Sequence, residues 1–439
     1  MCIAENHSAR TAPGTIVGPT ARLHQGHHPG GRTHESTPLI RGHCPADGGG
    51  HGCLPRRSAT MKGARTLATP RTKVGIIGAG TISGIYLQNA QHFEAFEVVA
   101  VADTRREAAQ SRAAEHGVPR GCGVEELLAD PAIELVINLT PHRVHGPVGL
   151  AVLEAGKHVY NEKPLTVHRE EGQRMLALAE EQGLRVGGAP DTFLGGAWQT
   201  ARQLIDEGAI GEPVGAFAHL LGRRPPGAPR RQTEGYTSFY VTDSFEYGGG
   251  LLFDRGPYYL NALINLLGPV RRVTGSARIT WPERSDRGTP TKVNAPTHTA
   301  GVLDFANGTV CTMVMTYDAY DTGLPHIEIY GSEGSLRCID PNNFGGQLFL
   351  RRPDSPDLVP VEGRYGYNAN SRGVGVADMA VAMRNGRPHR ASGEMAFHVV
   401  DIITAMHEAS DQNRHVELQS TCERPAPLPI GLADWTVDE

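Results

Sequence analysis

The chain has 439 residues, 39% of them hydrophobic, which is enough apolar material for two domains with separate cores. Its formal net charge of −5 at pH 7 argues against a general nucleic-acid binder. No stretch approaches the roughly 18 uninterrupted apolar residues of a spanning helix, and the N-terminus lacks the apolar core of a signal peptide. We therefore expect a cytoplasmic protein without a membrane partner, whose seven scattered cysteines are free thiols.

The first 70 residues differ in composition from the rest. They hold seven of the 20 histidines among Gly, Pro and Arg, with almost no periodic apolar pattern, so we expect residues 1–70 to be a disordered extension. His27, His28, His34, Cys44 and Cys53 could be read as metal ligands, but no C-x₂-C or H-x₃-H pair lies on an ordered scaffold there, and no metal site is predicted. Met61 precedes the first predicted strand, so a start codon at that position would explain the extension equally well.

From Lys73 onward, short apolar runs alternate with amphipathic stretches, which predicts a doubly wound parallel sheet over residues 71–190. This is the pattern of a Rossmann domain. The predicted strands are Lys73–Gly80, Phe96–Asp103, Glu134–Thr140, His158–Glu162 and Leu184–Gly188. A helix is predicted over His168–Gln182, with Thr166 as its N-cap and Gly183 at its end.

A glycine-rich motif follows the first strand. Gly78-Ala79-Gly80-Thr81-Ile82-Ser83 matches G-x-G-x-x-G/A with Ser83 in third place. Gly78 permits a tight turn, and Gly80 lets the backbone approach a pyrophosphate at the next helix N-terminus. A chance glycine turn is the alternative for such a motif alone, but the strand before it and the helix after it favour dinucleotide binding.

The acidic residue that ends the second strand bears on cofactor choice. The Asp103 carboxylate is placed to accept hydrogen bonds from both ribose hydroxyls, which predicts NAD, whereas Arg105 and Arg106 beside it would accommodate the 2′-phosphate of NADP. The predicted cofactor contacts in this part of the chain are Gly78, Gly80, Thr81, Ile82, Ser83, Asp103 and Arg105.

After about Asp191 the pattern changes to period-2 runs joined by short turns, which predicts a mostly antiparallel open sheet over residues 191–427 with a tail at 428–439. Asn307-Gly308 and the turn Gly331–Gly334 are the clearest hairpin signals. Two late helices are predicted near Gly373–Arg384 and Glu394–Ala409. The fold class is therefore α/β followed by α+β.

Several short motifs together make the chain resemble the Gfo/Idh/MocA oxidoreductases. They are the glycine loop, Asp103, Thr140-Pro141-x-x-x-His145, Glu162-Lys163-Pro164 and Gly248-Gly249-Gly250-x-x-x-Asp254-x-Gly256. The resemblance spans about Thr72 to about Pro427. It implies hydride transfer between NAD(P) and a secondary hydroxyl or carbonyl of a sugar, sugar derivative or cyclitol, and a homodimer or homotetramer. It adds Thr140, Pro141, His145, Glu162 and Lys163 to the expected cofactor contacts.

Lys163 is the leading catalytic candidate. Ligands of open α/β sheets bind outside the carboxyl ends of the strands, and a lysine there can stabilise a developing alkoxide or polarise a carbonyl. The alternative is a surface lysine paired with Glu162. For His145, a nicotinamide or substrate contact and a plain helix N-terminal histidine remain open.

Asp254 and Tyr258 are the other candidate catalytic and substrate-binding residues. Asp254 could orient a hydroxyl or tune the lysine, or it could cap a helix beginning near Gly256. The family places a histidine four residues after this aspartate, but this chain has Tyr258. Proton transfer through Tyr258 needs a neighbouring cation such as Lys163; the alternative is that Tyr258 only packs and Lys163 acts alone.

Arginines near the predicted cleft suggest anion recognition. Arg223, Arg224, Arg230 and Arg231 lie in the segment Arg223–Tyr247 before the triple glycine, and either bind a phosphate or carboxylate or form a solvated loop. Arg372 is a candidate substrate contact, with a helix-start ion pair as its alternative. Trp198 and Tyr317 are assigned to the core.

The function expected from these residues is an NAD(P)-dependent dehydrogenase or reductase acting on a carbohydrate-like secondary alcohol. Two alternatives stay open. One is a glycoside hydrolase that uses bound NAD transiently, and the other is a non-catalytic dinucleotide-binding regulator, which the retained Lys163 disfavours.

Overall fold

A computed structural model describes residues 71–221, 243–286, 289–319 and 323–438. The extension expected over residues 1–70 lies outside the described residues. So do the four arginines of the Arg223–Tyr247 segment, Arg223, Arg224, Arg230 and Arg231.

The first domain is a six-stranded sheet with the strand order β3-β2-β1-β4-β5-β6, and every neighbouring pair is parallel. The strands are β1 Thr72–Ile77, β2 Phe96–Ala102, β3 Gly121–Cys122, β4 Leu135–Asn138, β5 His158–Asn161 and β6 Val186–Gly188. The helices are α1 Ser83–Ala90, α2 Arg106–His116, α3 Val124–Leu128, α4 His145–Glu154 and α5 Arg169–Gln182. The apolar runs of β1 and β4 are buried because helices cover both faces of a parallel sheet. The predicted Rossmann domain is confirmed.

The second domain is built on a ten-stranded sheet. Its path is β17-β16-β15-β14-β7-β13-β12-β8-β18, with β9 paired to β12, and all pairs are antiparallel except β7 with β13. Its strands are β7 Pro213–Leu221, β8 Val270–Val273, β9 Ser276–Arg278, β12 His298–Phe305, β13 Val310–Thr316, β14 Ile327–Gly331, β15 Gly334–Cys338, β16 Leu348–Arg352, β17 Ser355–Val361 and β18 Val416–Glu417, and a separate hairpin pairs β10 Glu283–Asp286 with β11 Thr289–Lys292. The predicted open antiparallel sheet is confirmed.

Helices line this sheet and join it to the first domain. They are α6 Gly196–Asp206, α7 Leu251–Leu267, α8 Val374–Asn385 and α9 Gly393–Gln412. Helix α9 packs against the first domain through Ala396, Phe397 and Val400, which share one apolar cluster with Met175 of α5. Arg169 Nε also donates to the Asp401 carboxylate at 2.6 Å. The two domains are therefore held together by apolar and charged contacts.

Two predicted hairpins are present where the sequence placed them. Strands β12 and β13 pair up to Asp304 and Val310 around the Asn307-Gly308 turn, and β14 meets β15 at the Gly331 to Gly334 pair. Among the described residues, no helix combines the length and apolar character that crossing a membrane requires. Cys122, Cys311, Cys338 and Cys422 are buried free thiols.

Two predicted helix starts are wrong. Helix α5 is capped at His168, and the Thr166 hydroxyl donates to the His168 carbonyl at 2.8 Å instead of capping the helix. Helix α7 begins at Leu251, not near Gly256, because the apolar residues Leu251–Phe253 are buried as its first turn. Asp254 consequently lies inside the helix and is not its N-cap.

A buried histidine makes the fold sensitive to acid. His398 of α9 accepts a hydrogen bond from the Val270 amide at its Nε2, at 3.0 Å, and burial lowers its pKa to about 4 from an ordinary value of 6.5. Because the folded value lies below the unfolded one, the stabilisation is complete above about pH 6.5 and is lost as the pH falls towards 4, at a cost of up to roughly 3 kcal/mol.

We predict that the free energy of unfolding falls between pH 6.5 and 4, and that His398→Gln, which keeps an acceptor but does not titrate, flattens this dependence. Urea unfolding at a series of pH values measures it. The control is His415→Gln at an exposed position. Equal pH dependence in wild type and His398→Gln would contradict the assignment.

Candidate active site

The glycine-rich loop joins β1 to α1 and leaves open space at one residue. Gly78 has φ +109°, and a Cβ there would lie 2.6 Å from the Leu139 carbonyl oxygen. A Cβ built on Gly80 meets nothing within 4 Å, and the Ser83 hydroxyl donates to the Gly80 carbonyl at 2.7 Å. The loop is thus fixed by Gly78 and Ser83, while Gly80 presents a backbone that a ligand can approach closely.

Asp103 follows β2 and binds this loop. Its Oδ2 accepts from the Ala79 amide and its Oδ1 from the Arg105 amide, both at 2.9 Å. Burial opposes ionisation, but these hydrogen bonds and the Arg105 charge outweigh it and lower the Asp103 pKa. The Arg105 side chain is 75% exposed, whereas Arg106 is paired with Glu126. Both arginines are exposed, but the Arg105 side chain lies beside Asp103 at 3.5 Å, whereas that of Arg106 is turned to Glu126.

Buried amides hold the loop that carries Lys163. At the end of β4, Asn138 donates to the Asn161 carboxamide oxygen at 3.0 Å, and Asn161, at the end of β5, donates to the Leu165 carbonyl at 2.9 Å. Asn138 also accepts from the Thr140 hydroxyl at 2.7 Å. Pro141, the next residue, is the N-cap of a short 3₁₀ helix. Adjacent strand ends and the two loops after them are therefore locked to each other.

His145 completes this lock. It is the first residue of α4 and is almost fully buried. Its Nδ1 lies 2.7 Å from the Pro164 carbonyl and its Nε2 2.8 Å from the Thr140 carbonyl. Burial lowers the pKa of His145 and outweighs the two carbonyls, which raise it. Both ring nitrogens contact the backbone, so His145 positions the Lys163 loop through its two neighbouring segments.

Glu162 and Lys163 do not form a surface pair, because both are buried. Glu162 accepts from the Lys163 amide at 2.8 Å and from the Tyr86 hydroxyl at 3.1 Å. The Lys163 ammonium instead crosses to α7, where it donates to the Asp254 backbone carbonyl at 2.5 Å and to its carboxylate at 3.1 Å. The first domain thus supplies the cation and the second the anion of one site.

Tyr317 belongs to this site, and its assignment to the core alone is wrong. Tyr317 directly follows β13, and its hydroxyl donates to the other carboxylate oxygen of Asp254 at 2.8 Å. Burial and the Asp254 charge raise the Tyr317 pKa well above its usual value, so the hydroxyl stays protonated and keeps donating. Trp198, by contrast, is fully buried in the core.

Tyr258 lies one helical turn after Asp254 and is nearly buried. The Lys163 Nζ lies 5.5 Å from its ring centroid, and the Arg372 guanidinium interacts electrostatically with the phenol. Arg372 also donates to the side-chain oxygens of Asn370 and Asn342, at 2.8 and 2.7 Å. These are neutral acceptors, so the alternative of a helix-start ion pair for Arg372 is wrong.

Three residues that the sequence did not single out shape the site. Arg255 follows Asp254, and its guanidinium lies 5.7 Å from the Tyr258 ring centroid. Asp191 accepts from the Gly373 and Gly375 amides, at 2.8 and 3.0 Å, and Asn89 of α1 donates to the Arg372 carbonyl at 2.9 Å. Of these three, only Arg255 had a signal in the sequence, because it is a charged residue inside the Asp254-x-Gly256 motif.

Two models of known protein families match the chain. The model for the oxidoreductase family with an NAD-binding Rossmann fold matches residues 72–188, and that for the GFO/IDH/MocA C-terminal domain matches residues 198–337. The chain belongs to the Gfo/Idh/MocA oxidoreductase family. It is an NAD(P)-dependent oxidoreductase, and the resemblance inferred from its motifs is confirmed.

Several proteins of this kind are similar to the chain. The 1,5-anhydro-D-fructose reductase of Ensifer adhaerens is 27% identical over 305 residues, 66% of this chain and 82% of the relative. The scyllo-inositol 2-dehydrogenase (NADP(+)) of Bacillus subtilis is 29% identical over 219 residues, 49% of this chain and 57% of the relative. A levoglucosan dehydrogenase solved with NADH and L-sorbose superposes with a TM-score of 0.68 at 22% identity, covering 80% of this chain and 100% of that one, which shows the shared fold.

The two glycines of the loop give a matched test of cofactor binding in this Gfo/Idh/MocA protein. We predict that Gly80→Val leaves the free energy of unfolding within about 1 kcal/mol of wild type, since the site is open, but weakens NADH binding at least roughly tenfold. Gly78→Ala should instead destabilise the fold by about 1–3 kcal/mol, because of its φ and the Leu139 carbonyl. Urea unfolding and NADH fluorescence titration measure both. Unchanged NADH affinity in Gly80→Val would exclude this loop from the binding site.

Proposed function

We propose that the chain interconverts a secondary hydroxyl and a carbonyl on a sugar, sugar derivative or cyclitol, with NAD as its preferred cofactor. The observation that supports this proposal most directly is the buried ammonium of Lys163 at the carboxyl end of β5. It donates to the Asp254 carboxylate at 3.1 Å. The names of the relatives, which act on anhydrofructose and scyllo-inositol, support the substrate class. A Lys–Asp pair at this edge suits an oxygen that gains or loses a proton.

The residues around the glycine loop fit a dinucleotide. The open backbone at Gly80 and the N-terminus of α1, with Thr81, Ile82 and Ser83, would receive its pyrophosphate. Asp103 and Arg105 would lie beside its adenosine ribose, and Thr140 and Pro141 would line the loop towards the nicotinamide. When bound, the cofactor accepts or gives a hydride, with its electron pair, at the carbinol carbon.

The side chains of the chain manage the proton. The Lys163 ammonium stabilises negative charge on the substrate oxygen, and Asp254 orients that ammonium. Tyr317 fixes the second oxygen of Asp254 and stays protonated, so it is not the proton acceptor. We propose that Tyr258, which lies beside the cations of Lys163 and Arg372, carries the proton. In reduction its hydroxyl donates a proton to the substrate oxygen and becomes a phenolate, and in oxidation that phenolate accepts the proton of the substrate hydroxyl.

The catalytic assignment predicts a large effect at Lys163. Lys163→Met keeps much of the side-chain bulk but removes the charge and its donors, so kcat should fall at least roughly 100-fold while NADH affinity changes little. The exposed Lys73→Met is the matched control. The assay follows NADH absorbance with the best substrate from a panel of sugars, cyclitols and sugar acids.

In the same assay, Tyr258→Phe should lower kcat at least roughly tenfold, since it removes a group in proton transfer. A change below about twofold would leave Lys163 with Asp254 or water as the proton path. Normal turnover by Lys163→Met would overturn the catalytic assignment itself.

The second test concerns cofactor choice. Replacing Asp103 with Ser removes the carboxylate that opposes a 2′-phosphate and leaves the exposed Arg105 to bind it. The ratio of kcat/KM for NAD to that for NADP should fall at least roughly tenfold. Because Asp103 also accepts from the Ala79 amide, Asp103→Asn, which keeps a side-chain oxygen acceptor, is the control for the loop. A wild-type protein that prefers NADP would contradict this role.

A further inference from the structure

Arg255 is a charged residue that lines one wall of the candidate active site, and one of its N–H donors is unused within the described part of the chain. It lies in the first turns of α7, next to Asp254, and its Nε is buried without a hydrogen-bond partner among the described residues. Its ion pair with Asp340 measures 3.6 Å, which is longer than a direct N–H···O hydrogen bond. The Asp340 carboxylate therefore offsets the Arg255 charge in part and leaves donor capacity free.

Arg372 is the second cation of this wall. Two donors of its guanidinium go to neutral oxygens, the side-chain oxygens of Asn370 and Asn342. Within the part of the chain that the structure describes, no carboxylate lies within 4.0 Å of it. Glu162 acts on it only at longer range, because that carboxylate accepts from Tyr86 and from the Lys163 amide.

One turn holds both arginines beside the same ring. In this turn the Asp340 carboxylate pairs with Arg255, and the side-chain oxygen of Asn342 accepts from Arg372. The backbone amide of Asn342 donates to the Asp340 carboxylate at 2.9 Å, which fixes the turn. Both guanidiniums interact with Tyr258: that of Arg255 lies 5.7 Å from the centroid of its ring, and that of Arg372 interacts with the phenol electrostatically. Among the described residues, Asp340 is the one carboxylate within 4.0 Å of either guanidinium, while Asp254 and Glu162 act on them at longer range.

We infer that Arg255 and Arg372 form a binding site for an anionic group of the substrate, a carboxylate or a phosphate, next to the carbon that reacts at Lys163. This inference rests on the proposed function and narrows its substrate class to acidic or phosphorylated sugar derivatives. A guanidinium offers several donors in a fixed plane, which matches the oxygens of either group. A hydroxyl of a neutral sugar would give the buried Arg255 Nε only an uncharged acceptor, whereas an anion gives it a stronger, charge-assisted hydrogen bond and offsets the guanidinium charge.

The test uses three compounds on one carbon skeleton: a neutral hexose, its uronate and its 6-phosphate. With NAD as cofactor, we expect kcat/KM for the uronate or the phosphate to exceed that for the neutral hexose by roughly 10–100-fold, the range for hydrogen bonds to charged groups. If kcat/KM is highest for the uronate, the site binds a carboxylate. If kcat/KM is highest for the 6-phosphate, the site binds a phosphate. A kcat/KM for the neutral hexose equal to or higher than those for both the uronate and the 6-phosphate would overturn the inference.

Variants separate this site from the catalytic machinery. Arg255→Gln should lower the ratio of kcat/KM on the anionic compound to that on the neutral one by roughly 10–100-fold, while Arg255→Lys should recover part of this ratio. Arg351→Gln, at an exposed position of β16, is the matched control. Equal losses on charged and neutral compounds would mean that Arg255 is structural.

A binding measurement keeps this inference distinct from the proposed function. Calorimetric titration of the uronate and the 6-phosphate into the enzyme saturated with NADH needs no turnover. We expect binding that weakens roughly tenfold in Arg255→Gln and at raised salt. If no compound reduces NAD but this difference is seen, the proposed reaction fails and the anion site stands. If wild type and Arg255→Gln bind equally, the anion site fails whatever the activity.

Discussion

A buried ammonium governs the architecture of the site. Lys163 is 4% exposed, and an unpaired charge at such a position is too costly to keep. Its carboxylate partner, Asp254, comes from the other domain, 91 residues along the chain. The site is therefore complete only when the parallel sheet and helix α7 are docked, and the contacts between α9 and the first domain, including Arg169 with Asp401, serve the chemistry as well as the fold.

Buried polar groups make this docking specific. Asn138, Asn161 and His145 lock the loop that carries Lys163, and each satisfies backbone or amide groups that would otherwise be stranded in the interior. Asp191 and Asn89 do the same for the Arg372 loop. Each of these hydrogen bonds is satisfied in one arrangement of the loops. The loops of the two domains therefore hold fixed positions relative to each other, and so do the side chains of Lys163, Tyr258 and Arg372.

The sequence predicted what depends on local pattern. Apolar periodicity predicted the two sheets, and the glycine motif with Asp103 predicted the cofactor-binding loop. These features could be predicted because strand ends and tight turns depend on residues that are adjacent in the sequence. Tyr317 and Arg255 escaped because their partners are set by distant strands: Tyr317 meets Asp254 across 63 residues, and Arg255 meets a turn after β15. The start of α7 was misplaced because burial of Leu251–Phe253, not a cap residue, decides it.

The tyrosine at position 258 ties the catalytic and binding parts of the site together. Asp254 and Tyr258 are four residues apart on one helix and so share a face, which places Lys163 against the Tyr258 ring. The phenol also interacts electrostatically with the Arg372 guanidinium, and a histidine at this position would have no polar atom so far from the backbone. Asp254 is occupied by Lys163 and by a tyrosine that stays protonated. The hydroxyl of Tyr258 is thus coupled to the same arginine that would hold a substrate anion, so that charge on the substrate and proton transfer are linked through one guanidinium.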